Sequence, residues 1–534
     1  MPARSRRMAR ALLTSAVSCM VVVLAATTAS AHNERPTDSP ARPGSVPDAS
    51  RIAHQHPVLD VCKTKVGGSW ECGFHDIQAA VDAAPDGALI RIWPGLYKEL
   101  PSRRVPSDLP FDGPHETYTF QFQKRHPNVV NLVAIVGKKN ITLLGMGRKP
   151  TDVVVDVGFA KHVGIRADRA DGFIIKNVSV WHAVEHGVYI LDQSGYRIDH
   201  VVSGFSGEYS FLTFATDHGL YIHCEATGAG DGGIYPGGQA DTPGRVSTEV
   251  SHCISHHNVL GYSGTQGDHV WVHDTKFFDN ASGLVSDSET DHPNYPENNL
   301  MLEDNEFFDN NYNPYSPDAD VMITEFDEAG TGFTGNLIPV GTGIFLASGN
   351  DNLVQNNRIW GHANYGVWLG SGQGLVVGPT SDPAKMPFMS SGNRFLGNRM
   401  YPPGGVSGSV NRIDFTWDGV GLDNCWEGNT RSADGDPVTT DNVMLPPCHL
   451  LPEVITAPPP VWVPNPFNIL AQLGIAKLNG RPMCAVLQLQ PCVYGAGPDP
   501  RHARNTKEGQ RVEWPPPPTC GPSTCEEVLA RRYG

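Results

Sequence analysis

The chain has 534 residues, a net charge of −16, 40% hydrophobic residues, 57 glycines and 44 prolines. An acidic surface of this size argues against nucleic acid or anionic membrane as the main partner. It suits neutral glycans, basic ligands or divalent cations, and it keeps a secreted chain soluble.

The first 31 residues read as a signal peptide. Arg4, Arg6, Arg7 and Arg10 make a basic start, an apolar run follows from Ala11 to Ala26, and Ala29-Ser30-Ala31 offers a cleavage site before His32. The run is too short for a good membrane anchor, and no other stretch could span a bilayer. The mature protein is therefore expected to be secreted, and losing four arginines with no acids takes its charge from −16 to −20. Ten of the 11 cysteines remain after cleavage, which implies disulfides in an exported chain. Proximity suggests Cys62–Cys72, Cys425–Cys448, Cys484–Cys492 and Cys520–Cys525. Residues 32–57 are rich in Pro, Ser, Asp and Arg without periodicity, which predicts a disordered linker.

Order is expected from Val58. His75 to Gly87 predicts a short amphipathic helix stopped by Pro85 and Gly87. Ala88-Leu-Ile-Arg-Ile-Trp and Asn140-Ile-Thr-Leu-Leu-Gly predict strands. From Val163 to about Gly370 one phrase recurs, glycine followed by apolar, any, apolar: at Gly164, Gly187, Gly233, Gly283, Gly343 and Gly366, with degenerate copies at Ser210 and Gly261. The starts at 164, 187, 210 and 233 are 23 residues apart, as are 343 and 366. A fixed period in the twenties built from strand-length phrases predicts a solenoid. A second, polar ladder follows each phrase at Asn177, His200, Cys224, Cys253, Asp274, Asp304 and Asn356. Its offsets are 13, 13, 14, 20, 13, 21 and 13 residues. Small polar residues there suit a tight, left-handed bend after the second strand. Cys224 and Cys253 share the slot on successive coils and are read either as an inter-coil disulfide or as a reduced thiol ladder. Insertions near 236–247, 286–298 and 311–340 all border the face built from first strands, where loops grafted on a regular scaffold place function. Residues 446–534 read as a cystine-containing, proline-rich C-terminal cap or appendage.

The helix, the strand after it and Pro94-Gly-Leu-Tyr-Lys-Glu together resemble the opening module of secreted right-handed parallel β-helix proteins of the pectate-lyase-like kind. Gly230-Asp-Gly-Gly-Ile-Tyr-Pro-Gly-Gly, Phe307-Phe-Asp-Asn-Asn-Tyr-Asn and Ile338-Pro-Val-Gly-Thr-Gly-Ile are similar to phrases in exported β-helix proteins of unassigned chemistry. At repeat level the chain also resembles copper-accessory β-helix proteins. The resemblance implies an all-β fold: a right-handed parallel β-helix solenoid over 58–445, of eleven or twelve coils, capped at both ends.

Alternation gives the outward residues of the first-strand face: Arg166, Tyr189, Leu212, Tyr235, Ser263, Val285, Phe345 and Trp368. An aromatic floor suits sugar rings, so Arg166, Tyr189, Tyr235, Phe345 and Trp368 are the substrate-binding candidates. The alternative is that they pack under the inserted loops. Acid and base must come from loops, and the catalytic candidates are Asp217, His218, Asp231, Asp287 and Glu289. Asp287, Glu289 and Asp291 could also hold calcium through carboxylate oxygens. His252, His256 and His257, with His223 one coil before, invite a metal reading that no cysteine or carboxylate spacing completes. Paired aspartates of the polygalacturonase type are absent. The expected function is a monomeric carbohydrate-active protein, lyase-like or hydrolase-like, acting on a polysaccharide or cell-surface glycan. The alternatives are a non-catalytic glycan-binding module and a metal-accessory protein.

Overall fold

The computed structural model describes Arg35 and residues 37–63, 72–98, 118–289, 292–312, 340–370, 390–405, 410–417, 421–442 and 444–450, together with Pro314, Val321, Gly419 and the strand pair Lys477–Leu478 and Arg481–Pro482. Within them, ten strands from Asn131–Val136 to Ile413–Trp417 stack in parallel as one sheet, formed by the first strand of each coil. The glycine phrases lie in register there. Ile165, Val188, Phe211, Ile234, Tyr262, Leu284, Ile344 and Val367 stack inward as part of one continuous core. The recurring glycine has a steric cause. A Cβ on Gly283 would lie 2.4 Å from the Gly343 carbonyl oxygen, and one on Gly343 would lie 2.6 Å from that of Gly366. Coils can stack this closely only where the side chain is missing.

The second strands form a chain of eleven successive pairings, hence twelve levels, from Val58–Val61 to Cys425–Glu427. The long strands Phe173–Trp181 and Ser194–Gly204 run on round a corner into the third strands, which joins second and third strands into one bent sheet. At that corner Asn177, His200, His223, His252, Asp274, Asp304 and Asn356 adopt φ between +49° and +57°. The slot assigned to Cys224 and Cys253 is thus one residue out: His223 and His252 hold it, at offsets of 13 and 19.

Cys224 and Cys253 are buried free thiols in the inward position that follows the corner. They open a ladder in which each side chain accepts the backbone N–H of the preceding coil. Cys253 Sγ accepts from Cys224 N–H, Thr275 Oγ1 from Cys253, Asn305 Oδ1 from Thr275, Asn357 Oδ1 from Asn305, and Asn398 Oδ1 from Asn357. These bonds span 2.9–3.3 Å. The disulfide alternative for this pair does not hold.

The ends are closed by separate devices. The helix Ile77–Ala83 is capped by Asp76, whose carboxylate accepts the Ala79 N–H at 3.1 Å. From this helix Gln78 pairs with the open edge of the first sheet, accepting the Ala134 N–H at 2.6 Å and donating to the Ala134 carbonyl at 3.1 Å. One amide side chain thereby stands in for a missing strand. Disulfides Cys62–Cys72 and Cys425–Cys448 are formed as expected from proximity. Cys484–Cys492, Cys520–Cys525, the signal peptide and nearly all of 446–534 lie outside the described residues.

Residues 37–57 correct the expectation of a disordered linker. They run back along the outside of the coils and include a 3-10 helix at Ala49–His54. Arg35 and Arg42 bind the row Asp168, Asp192 and Asp217 on successive coils. Further along, Arg51 donates to the Gly172 carbonyl and Gln55 to the Asn140 carbonyl. The segment has no periodicity because it is not a coil; it is a strap.

Candidate functional site

The first-strand face is not an open floor. Arg166, Tyr189 and Tyr235 have no exposed surface, and Phe345 and Trp368 retain only 7% and 4%. Phe345 and Trp368 stack at 4.1 Å between ring centroids and pack in a cluster with Val321 and Val340, with Tyr312 against it, all from the third insertion. Over Tyr235 the second insertion folds back. His292 Nε2 lies 3.5 Å from the Tyr235 hydroxyl, and the same imidazole packs edge-on against Phe214. Arg166 is engaged by Asp168 at 3.3 Å and lies over the Tyr189 ring. The expected sugar platform is therefore a packed interface, covered by the third insertion over Phe345 and Trp368 and by His292 of the second over Tyr235.

What distinguishes this face is a row of ionisable groups at its N-terminal edge. His162, Glu185, Glu208 and Asp231 occupy one register position on four successive coils: the N–H groups of Glu185, Glu208 and Asp231 each donate to the carbonyl of the preceding member. The row ends abruptly, for Val259 and Ala281 hold the same position on the next two coils. All four side chains are buried, Glu208 being the most exposed at 7%.

Each carboxylate has a proton-bearing partner close by. His162 Nδ1 lies 3.2 Å from Glu185 Oε1 and 2.5 Å from the Tyr118 hydroxyl. His186 Nδ1 lies 3.7 Å from Glu208 Oε2, and its ring stacks on Tyr209. The Tyr209 hydroxyl donates to Asp231 Oδ2 at 2.8 Å. Burial, then the charges of Asp231 and Glu208, hold Tyr209 well above the ordinary phenol range, so it stays a proton donor. Tyr235, 4.6 Å from Tyr209 between ring centroids, is raised by burial and then by Glu289, Asp287 and Asp231. Three of the expected catalytic carboxylates thus act on one phenol.

Residues 163–378 match the family model described as the right handed beta helix region. The described coils form a right-handed parallel β-helix. Among solved structures, the β-helix is similar to the A-module of a mannuronan C-5 epimerase of Azotobacter vinelandii, at 12% identity and a TM-score of 0.36, over 68% of this chain and 94% of that one. It is similar to a pectate lyase at 14% identity and a TM-score of 0.34, over 75% and 84%. The catalytic domain of an α-1,3-glucanase solved with tetrasaccharides gives 9% identity and a TM-score of 0.34, over 76% and 70%. A search of the curated proteins returns no match. With values this low, the chemistry of the β-helix rests on its own residues.

The other expected residues lie elsewhere in the β-helix. Asp217 is buried in a bidentate pair with Arg245 and accepts the Arg42 N–H, and these partners hold its carboxyl below the ordinary range against burial. His218 stands at a left-handed turn beside Ser194. Both belong to the strap's anchor, apart from the acid row. Asp291 of the expected calcium set lies outside the described residues; Asp287 and Glu289 are buried on the Tyr235 side. His256 lies flat on Phe278, 3.3 Å from Glu225, while His257 faces Asp279 and Tyr312, so neither joins His252. A groove of about 1580 Å³ runs elsewhere along the β-helix, past Arg245, His269, Asp351, Arg394 and Asp423. Its imidazole, His269, pairs with Asp241 at 3.4 Å, and the acid row is the denser cluster and the better candidate. Glu185, Glu208, His186 and Tyr209 were not singled out from the sequence, although the period marks them: His162, Glu185, Glu208 and Asp231 each stand two residues before a phrase start.

Proposed function

We propose that this protein is an exported carbohydrate-active β-helix, hydrolase-like, whose reaction is carried by the edge row on the first sheet. The observation behind this reading is the run Glu185, Glu208, Asp231 on consecutive coils, each beside a histidine or tyrosine. Elsewhere in the solenoid the repeated inward polar positions are held mostly by asparagine, with Cys253, Thr275 and His362 among the exceptions, and asparagine meets the backbone's needs without burying charge. Carboxyls one coil apart start from backbones about 4.8 Å apart, and two coils apart from roughly 10 Å. Those distances bracket the separations that retaining and inverting glycosidases use.

A protonated carboxyl of the row gives its proton to the leaving oxygen while a neighbouring carboxylate acts as base or nucleophile, and Tyr209 positions Asp231 through the hydrogen bond it donates. Neutral glycans are favoured over uronates, because an anionic sugar would meet three carboxylates while Arg166 is held by Asp168. The glycan reaches the row only when the cover above it parts, since every member is buried. A non-catalytic glycan-binding module would need an open aromatic platform, and Tyr189, Tyr235, Phe345 and Trp368 do not form one.

The test is a screen of purified protein against neutral and uronate polysaccharides, following reducing ends and unsaturated products separately. Reducing ends from a neutral glycan are expected, and they should vanish in Asp231→Asn and Tyr209→Phe variants whose circular dichroism is unchanged. Unsaturated uronate products, or turnover indifferent to both variants, would overturn the assignment.

A further inference from the structure

The left-handed corner after the second strands carries a second group of chemistry-bearing side chains. Asparagine or aspartate fills that corner at Asn177, Asp274, Asp304 and Asn356, so its backbone does not demand histidine. Three consecutive levels nevertheless carry one. Ring centroids are 4.6 Å apart between His200 and His223 and 5.3 Å apart between His223 and His252, with His273 a further 6.1 Å on. His200, His223 and His252 are all exposed to solvent.

Their ring nitrogens are also sorted. His200 Nδ1 bonds Asp199 Oδ1 at 2.5 Å, and His252 Nδ1 bonds Ser251 Oγ at 2.6 Å. In both, the side chain one residue earlier fixes Nδ1 and leaves Nε2 as the ligand nitrogen, the arrangement that outer-shell partners impose on metal-binding imidazoles. Rings stacked this closely repel one another when protonated.

We propose that His200, His223 and His252 form a surface site for a divalent transition metal, bound through their Nε2 atoms with water completing the shell. Among the described residues no three ligand groups already surround one point. Exposed imidazoles reach that arrangement by turning about their side-chain bonds while the backbone ladder stays fixed. Lys176 and Arg197 both pair with Asp199, which offsets its charge at the His200 end and makes His223 with His252 the stronger pair. The site is separate from the acid row and does not depend on the hydrolase reading.

Zn(II) alone is the probe, titrated into the full chain by calorimetry slightly above neutral pH. One bound zinc is expected, weakened by about ten-fold or more in His223→Ala, which removes the shared middle ligand, and by less in His200→Ala. His54→Ala, on an exposed turn of the strap, should bind as the parent does. Asparagine already serves at the equivalent corners, so the His200→Asn/His223→Asn/His252→Asn variant should melt with the parent while losing the heat of binding. No zinc heat in the parent, or the same heat in that triple variant, overturns the proposal.

Discussion

Glu297 and His362 are buried titratable groups that pull stability in opposite directions as pH changes. Burial, with the nearby Asp287 charge, pushes Glu297 up to about 8 against the Asn352 amide that donates to it. The folded protein then keeps a proton that the unfolded chain gives up above about 4.5, so stability falls as pH rises from 4.5 to 8. His362 takes the place of an asparagine in a ladder, accepting the Asn310 amide at Nε2 and donating from Nδ1 to Asn411 Oδ1. Burial holds it near 4, so the unfolded chain takes the proton first and stability falls as pH drops from 6.5 to 4. Each slope is about 1.4 kcal/mol per pH unit within its window. Denaturant melts across this range should show Glu297→Gln flattening the upper limb and His362→Asn the lower. An unchanged upper slope in Glu297→Gln would show that this carboxyl is ionised in the folded state. Neither residue stood out in the sequence, where burial of a single side chain leaves no periodic mark. The acid row did leave one, two positions ahead of the phrase starts at 164, 187, 210 and 233, and of its members only Asp231 is among the catalytic candidates read from the sequence.

At the scale of the strand, sequence and structure agree most closely. The inward and outward residues assigned by alternation from the glycine phrase are those observed, because a one-residue slip would turn every Ile, Val and Leu of the core outward. Replacing Ile344 with Asp, at a fully buried site, should therefore give insoluble or unfolded protein in an expression trial. The corner was placed less well. Two thiols passed for corner residues because a cysteine can occupy an asparagine-ladder position, and the constant offset of 13 to His223 was the better guide. The ladder itself is a testable element. Asn357 accepts the Asn305 N–H and donates to the Leu302 carbonyl and to Asn398 Oδ1. Truncation to Ala orphans two buried backbone groups on the preceding coil, and a loss on the order of 3 kcal/mol is expected in urea unfolding. Asn357→Asp keeps the acceptor but sets a buried carboxylate against the Leu302 carbonyl and Asn398 Oδ1, and should cost at least as much as the Ala variant at neutral pH.

Across the whole molecule, the strap ties coils together that the repeat alone would leave joined only to their neighbours. Arg35 meets Asp168 through both of its terminal nitrogens and also reaches Asp192; Arg42 donates to Asp192 and, from its backbone, to Asp217. Between these arginines, the Ser39 carbonyl accepts the Asn294 amide, which links the strap to the second insertion. The sequence disguised this segment as linker, since it docks one arginine at a time on an aspartate row and repeats nothing. Its composition suggested disorder, but the Asp168 that orders it lies 133 residues from Arg35. Asp168 has no exposed surface, and it depends on Arg35 and Arg166 for its counter-charge. Removing one partner of a buried pair leaves an uncompensated charge and is typically worth about 3–5 kcal/mol. Arg35→Ala should therefore lower the melting temperature and speed proteolysis of residues 37–57, whereas Arg35→Ala combined with Asp168→Asn should recover much of the loss. Because the pair is buried, added salt should reproduce little of this effect. A single variant that melts with the parent would mean that the strap is carried by its backbone contacts at Arg51 and Gln55.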